Sequence, residues 1–285
     1  MISALDHIAL AVGDLDAAVD AYARLLGREP NWLGGDGGAR HAWFQLPNMA
    51  LDVIAPHGEG AFGDTIRAHL DAHGEGIWAM SFTAADIDAT HALLGRRGIA
   101  GTPPRSVRST HDDGRKRYWT SATLDPAATG GLNLLLAAPP RDGVAWPQSP
   151  VTGPGEVTRL DHVVVHTPNP DRALAVYGAK LGLDLRLDRS NPDWKVRQLF
   201  FRCADSIVEF GAGLDRQVSD APDRFGGLAW QVADIEAAHA RIASAGFDVS
   251  GVKTGRKPST RVFTARSGVV AAPALVIAHG ERPST

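Results

Sequence analysis

Two stretches of the chain carry the same alternation of apolar and polar positions. Residues 5–27 read LDHIALAVGDLDAAVDAYARLLG and residues 160–182 read LDHVVVHTPNPDRALAVYGAKLG, and they align without a gap. Each opens on an apolar run that predicts a strand. A short polar turn follows, then apolar positions at helical spacing: Ala17, Ala18, Tyr22, Leu25 and Leu26 in the first, Ala173, Leu174, Tyr177 and Leu181 in the second. Gly27 and Gly182 are stop signals, and Asp14 and Asn169 stand where a helix cap or turn residue belongs. Weaker copies occupy residues 78–98 and 227–246, with Asp86 and Asp234 at the matching position. Chance similarity is a poor account of four ordered copies.

Further strand candidates follow each helix: 41–46 and 49–55, 117–124 and 131–138, 195–203 and 206–212, 260–266 and 273–279. Strand, helix, then two or three strands predicts an α+β chain of half-buried sheets with helices on one side. A single unit would expose an apolar sheet face, so the units are expected to pair into two domains, 1–138 and 158–285. Residues 139–157 are rich in proline and glycine with little periodicity, and read as a linker or strap anchored by Trp146. Residues 57–76 are irregular, with a short helix predicted over 61–72. Gly34-Gly35-Asp36-Gly37-Gly38 reads as a mobile turn between helix and strand.

Composition narrows the function classes. The length of 285 residues suits two domains. Lys and Arg number 29 against 32 Asp and Glu, a net charge of −3 that argues against a polyanionic partner such as nucleic acid. The single cysteine, Cys203, excludes an intramolecular disulfide and a thiolate-based zinc site, and reads as a buried inert thiol. No uncharged apolar run of about 18 residues suggests a membrane span, and the apolar opening carries Asp6 and His7 without a basic leader. The expectation is a soluble cytoplasmic protein with a small-molecule ligand and no membrane partner.

Several residues are candidates for chemistry. Glu209 stands between Val208 and Phe210 in an otherwise apolar strand, where a carboxylate needs a cation, a metal or a donor. Arg197 or Arg202 offers it a plain ion pair. Asp52 is a weaker case of the same kind. His7 and His162, in apolar strands, are either satisfied core imidazoles or site residues. Strand alternation puts Asp161 on the face opposite His162. His111 to Arg117 form a mixed-charge cluster, read as a solvated turn or as a carboxylate clamp. Tyr118 and Trp119 alternate, so one of them reaches the sheet interior. Trp43, Trp78, Trp119, Trp194 and Trp230 lie in or beside strands, either as core or as lining for an aromatic ligand. Residues 189–197 read as a lid-like hairpin or a plain turn. Neither a phosphate-binding P-loop nor a G-x-S-x-G elbow is present.

The paired openings Leu5-Asp6-His7 and Leu160-Asp161-His162, each with a D/N-containing turn and an A-x-x-x-Y helix, resemble the vicinal oxygen chelate superfamily. Residues 110–124, THDDGRKRYWTSATL, look like its glyoxalase-like domains. The resemblance spans about residues 4–138 and 158–280. It implies tandem βαβββ units that curl into two cups, and self-association as a homodimer. It also implies a divalent Fe, Mn, Zn or Ni ion held by first and last strands, although some members bind none. His7 and His162 match the first-strand ligand position, and Asp52 and Glu209 the last-strand one. Ala79, Gly227, Asn133 and Leu275 stand where units two and four would supply theirs. The three-ligand pattern is therefore incomplete unless His41, His166 or His279 completes it.

Two functions remain open. One is a metal-assisted lyase, isomerase or ring-cleavage dioxygenase acting on an oxygenated or aromatic substrate. His162 and Glu209 would carry its chemistry in the C-terminal cup. The other is a metal-free binding protein of the bleomycin-resistance kind, which Trp78 and Trp230, near the missing ligand positions, favour. Arg117, Arg197, Trp78, Trp119 and Trp230 are the candidate substrate contacts under either reading.

Overall fold

The computed structural model describes residues 1–139, 146–266 and 271–280. The chain runs through the same unit four times. Unit one is β1 (Ile2–Ala11), α1 (Leu15–Leu26), β2 (Trp32–Asp36), β3 (Ala39–Gln45) and β4 (Ala50–Pro56). After α2 (Ala61–His73), unit two is β5 (Gly76–Ala84), α3 (Ile87–Arg96), β6 (Arg105–His111), β7 (Lys116–Thr123) and β8 (Leu134–Ala137). Unit three is β9 (Val157–His166), α4 (Pro170–Ala173) running on into a π-helical stretch at Leu174–Lys180, β10 (Asp184–Asn191), β11 (Val196–Cys203) and β12 (Ser206–Gly213). Unit four is β13 (Arg224–Val232), α5 (Ile235–Ser244), β14 (Lys253–Thr254), β15 (Thr260–Ala265) and β16 (Ala274–His279).

Each unit is βαβββ, and the same device starts all four helices. Asp14, Asp86, Asn169 and Asp234 accept hydrogen bonds from the backbone N–H of Ala17, Ala89, Arg172 and Ala237 at 2.9–3.0 Å. Each satisfies a donor that the first helical turn leaves unpaired. Gly27 ends α1 in the left-handed region at φ 65°, which a residue without Cβ adopts freely. The glycine-rich run is corrected: Gly34, Gly35 and Asp36 belong to β2, and only Gly37 and Gly38 form the turn.

The two halves differ in closure. The N-terminal strands form a closed barrel in the order β1-β4-β3-β2-β6-β7-β8-β5. The C-terminal strands form an open eight-stranded sheet, β10-β11-β12-β9-β13-β16-β15-β14. Outward-facing Ile8, Leu10, Val53 and Phe82 join Val163, Val165, Phe210 and Val276 in one apolar cluster that spans both halves. α2 packs over the barrel's inward residues, with Ile66 and Leu70 meeting Ala9, Ala11, Ile54 and Ala79.

Polar clamps fix the halves to each other. Buried Arg28 donates from Nε to the Val157 carbonyl (2.8 Å) and from Nη1 to that of Ser149 (2.9 Å). Arg241 on α5 donates to the Arg24 and Leu25 carbonyls at the end of α1, and to those of Pro154 and Gly155 in the strap. Among the described residues, no helix is long and apolar enough to cross a membrane.

Candidate functional site

The C-terminal cup is a broad open cavity of about 2120 Å³. His162, Val164 and His166 of β9, Gln198 and Phe200 of β11, Glu209 of β12, and Leu275, Ile277 and His279 of β16 line it. At its floor the His162 Nε2 lies 3.4 Å from Glu209 Oε2. The other carboxylate oxygen, Oε1, accepts from the Gln198 amide at 2.7 Å, and the Gln198 oxygen accepts from Arg189 Nη2 at 3.2 Å. Behind His162, its Nδ1 lies 2.8 Å from Asp161 Oδ1, and Asp161 Oδ2 lies 2.5 Å from His279 Nε2.

Asp161 joins this row because β9 bulges. His162 pairs with Ala229 and Leu160 with Trp230, which leaves Asp161 as the extra residue. A bulge re-aims one side chain, so Asp161 comes to the face of His162. This corrects the alternation expected from sequence. β1 repeats the device: Leu5 pairs with Phe82 and His7 with Ser81, and Asp6 lies 2.6 Å from its neighbour's Nδ1. Burial opposes ionisation of Asp161, but hydrogen bonds from His162 and His279 outweigh it and hold the carboxyl well below the usual carboxylate range.

Basic groups rim this cup, among them Arg189, Lys195, Arg216, Arg224, Arg256 and Lys257. The stretch 189–197 is the β10–β11 hairpin. From its tip, half-exposed Trp194 lies 4.4 Å from the Arg256 guanidinium and 5.7 Å from that of Arg189. Stacked cations thus link the two free edges of the open sheet.

The N-terminal barrel is largely filled by side chains, leaving a smaller cavity of about 260 Å³ beside Arg117. His7 packs on Trp43 with centroids 4.9 Å apart. Asp52 Oδ1 lies 3.0 Å from His41 Nδ1, and His41 Nε2 lies 2.5 Å from Ser109 Oγ. The order Ser109–His41–Asp52 has the connectivity of a nucleophilic triad. All three are buried, however, and the Ser109 hydroxyl also accepts from the Trp32 indole at 2.8 Å. Neither Ser109 nor His41 lines a described cavity, so the row is internal packing.

Of the residues expected from sequence, the fold brings His162 and Glu209 together. His7 and Asp52 are engaged by different partners in the barrel. Arg117 and Trp119 share an aromatic cage there. Three expectations are corrected. Trp230 is fully buried in the core, because its place on β13 faces the helices. Trp78 packs on Phe62 of α2 at 5.7 Å. The ion pair of Arg197 with Glu209 does not form: its guanidinium turns to Asp188 (2.8 and 2.9 Å) and Asp171 (3.0 Å), while the residue still lines the cup. Sequence reasoning missed Gln198 and the role of Asp161; the Asp-His pair present in both openings was the available signal.

The donor set does not fit a three-ligand catalytic ion. His162 and Glu209 supply two donors, whereas Ala229, Leu275 and Ile277 on the facing strands supply none. Among the described residues, no group of three or more His, Cys, Asp or Glu side chains is arranged to hold a metal.

Comparisons agree with this architecture. The family model described as Glyoxalase-like domain matches residues 5–154. That of the Glyoxalase/Bleomycin resistance protein/Dioxygenase superfamily matches residues 161–264. An ethylmalonyl-CoA/methylmalonyl-CoA epimerase of Cereibacter sphaeroides is 33% identical over 104 residues, covering 34% of this chain and 73% of the epimerase. Among solved structures, a mutant of 4-hydroxymandelate synthase from Streptomyces coelicolor superposes with a TM-score of 0.69 at 17% identity, over 99% of this chain and 94% of that one. A Mn(II)-bound glyoxalase from Novosphingobium aromaticivorans gives 0.67 at 16% identity, over 98% and 83%. Fold, repeat and family models converge: the chain belongs to the glyoxalase/bleomycin-resistance/dioxygenase superfamily, the vicinal oxygen chelate proteins, as a two-domain glyoxalase-like member.

Proposed function

We propose that the C-terminal cup is an acid–base site that moves a proton at the carbon next to the carbonyl of an anionic acyl thioester. The observation that carries this reading is the row His279–Asp161–His162–Glu209 on the cup floor. Glu209 is the base. Gln198 fixes one of its oxygens and leaves the other facing His162. His162, as an imidazolium whose Nδ1–H is held by Asp161, donates its Nε2–H to the carbonyl oxygen as charge develops there. The basic rim and the cavity volume suit a long, nucleotide-bearing anion better than a small neutral substrate. The epimerase relative supports the thioester class. Glu209 and His162 share one wall, so the proton leaves and returns on the same face.

The test is deuterium exchange in D2O with methylmalonyl-CoA and ethylmalonyl-CoA, followed by mass spectrometry. The parent is expected to wash deuterium into the α-carbon with retention, and Glu209→Gln is expected to lose this. Equal exchange by both proteins would sink the assignment. A second reading, a binding protein, is favoured by the width of the open cup. It requires that both thioesters bind saturably and that neither exchanges.

A further inference from the structure

Arg117 points inward from β7 and is 4% exposed. Its guanidinium carbon lies 4.3 Å from the Trp43 ring, 4.6 Å from Trp32, 4.7 Å from Trp146 and 5.8 Å from Trp119. Indole faces stabilise a cation through the ring quadrupole. They leave the N–H groups in the guanidinium plane without acceptors, and Nε and Nη2 have no hydrogen-bond partner. The nearby acids are taken: Asp52 by His41, and Asp6 by His7 and Thr83. Burial lowers the Arg117 pKa to about 10 against the pull of Asp52 and Asp6, so the group is a cation at neutral pH. A buried cation with two unmatched donors is costly unless something pairs with it.

Arg117 borders a second cavity, of about 260 Å³, lined also by Trp43, Trp119, Trp146, Thr83 and Asp6. We propose that this cavity binds a small aromatic carboxylate, its carboxylate on the free N–H edge of Arg117 and its ring among Trp43, Trp119 and Trp146. A guanidinium presents parallel donors that match the two oxygens of a carboxylate. The volume, below that of a drug-sized pocket, suits a single ring. Asp6 disfavours a second negative charge, so the ligand is a monoanion. This cavity shares no lining residue with the C-terminal cup, so the site stands or falls apart from the thioester reading.

Benzoate is the probe, titrated into the full chain by calorimetry and tryptophan fluorescence. Saturable binding with Kd at or below about 1 mM is expected, with indole quenching. Benzamide, equal in shape but uncharged, should bind about tenfold more weakly or worse. Arg117→Met should abolish benzoate binding. Where that variant fails to fold, Trp146→Ala serves instead, since Trp146 lies in the strap outside both sheets; it should weaken binding at least about tenfold while the circular dichroism spectrum is unchanged. No saturable benzoate binding, benzamide matching benzoate, or full binding by folded Arg117→Met or Trp146→Ala would each overturn the proposal.

Discussion

Asp161 Oδ2 lies 2.5 Å from His279 Nε2, so one carboxylate ties the first strand of the third unit to the last strand of the fourth. Its other oxygen serves His162. The same group therefore braces the open sheet and orients the imidazole at its floor.

Bracing makes stability pH-dependent. Despite burial, hydrogen bonds from His162 and His279 hold the folded carboxyl of Asp161 below its unfolded value. The unfolded chain then binds more protons in the interval between them. The stabilisation is fully present above about pH 5 and is lost as pH falls toward the folded value. Urea midpoints measured from pH 6 down to pH 3 should fall more steeply for the parent than for Asp161→Asn. Parallel slopes would remove Asp161 from this role.

Orientation gives a kinetic counterpart. Asp161→Asn should lower the exchange rate about 10–100-fold and leave KM for the thioester nearly unchanged, because the His162 ring loses the carboxylate that orients it and stabilises its protonated form while the rim is intact. A rise in KM with unchanged kcat would instead make Asp161 a contributor to binding.

The two first-strand histidines should respond differently to substitution. His7 belongs to the N-terminal barrel, against Trp43 and Asp6. His7→Gln should cost about 1–3 kcal/mol of stability by loosening the buried packing on Trp43 and the bond to partly exposed Asp6, with thioester exchange per folded molecule unchanged. Activity lost in His7→Gln but kept in Glu209→Gln would move the site to the N-terminal half.

Arg241 and Gly155 set how the halves unfold. Gly155 is at φ +66°, and a Cβ there would stand 2.2 Å from the Ala238 backbone nitrogen of α5. Gly155→Ala and Arg241→Ala should each lower the transition temperature and broaden or split the calorimetric transition, as the strap and the end of α1 lose their hold on α5. A single sharp transition at the parental temperature in both variants would show that the apolar cluster alone couples the halves.

Cys203 is expected to be silent. Burial pushes its thiol up to about 12, leaving almost no thiolate at pH 8. An Ellman-type reagent should label it only after denaturant is added; rapid labelling of the native chain would show a local opening of β11.

Much of this was legible in the sequence, and the exceptions have physical reasons. The four caps and the apolar runs are local, so they revealed the βαβββ repeat. Glu209 could be read because an isolated charge between Val208 and Phe210 needs a partner wherever the strand lies. The face that Asp161 takes could not, since a bulge shifts register by one residue without marking the sequence. Trp230 was a large aromatic at the right distance along the chain but on the helix side of its strand, and Trp78 is covered by Phe62 of α2, a contact between distant segments. Arg197 does line the cup, but its partners Asp188 and Asp171 lie elsewhere along the chain and are brought to it only by the fold. Closure of one sheet and not the other depends on which distant strands meet, and no window of residues contains that.

α2 is a 13-residue segment on the connection between the first and second units, and the connection from β12 to β13 has no helical counterpart. Part of the N-terminal interior is thus covered by a segment carried on a connection rather than by the strands themselves, and the C-terminal cup has no such cover. Such an arrangement lets one half of a duplicated protein gain or lose a ligand chamber through a change in a connecting segment, while the strand register that aligns the working side chains is inherited intact.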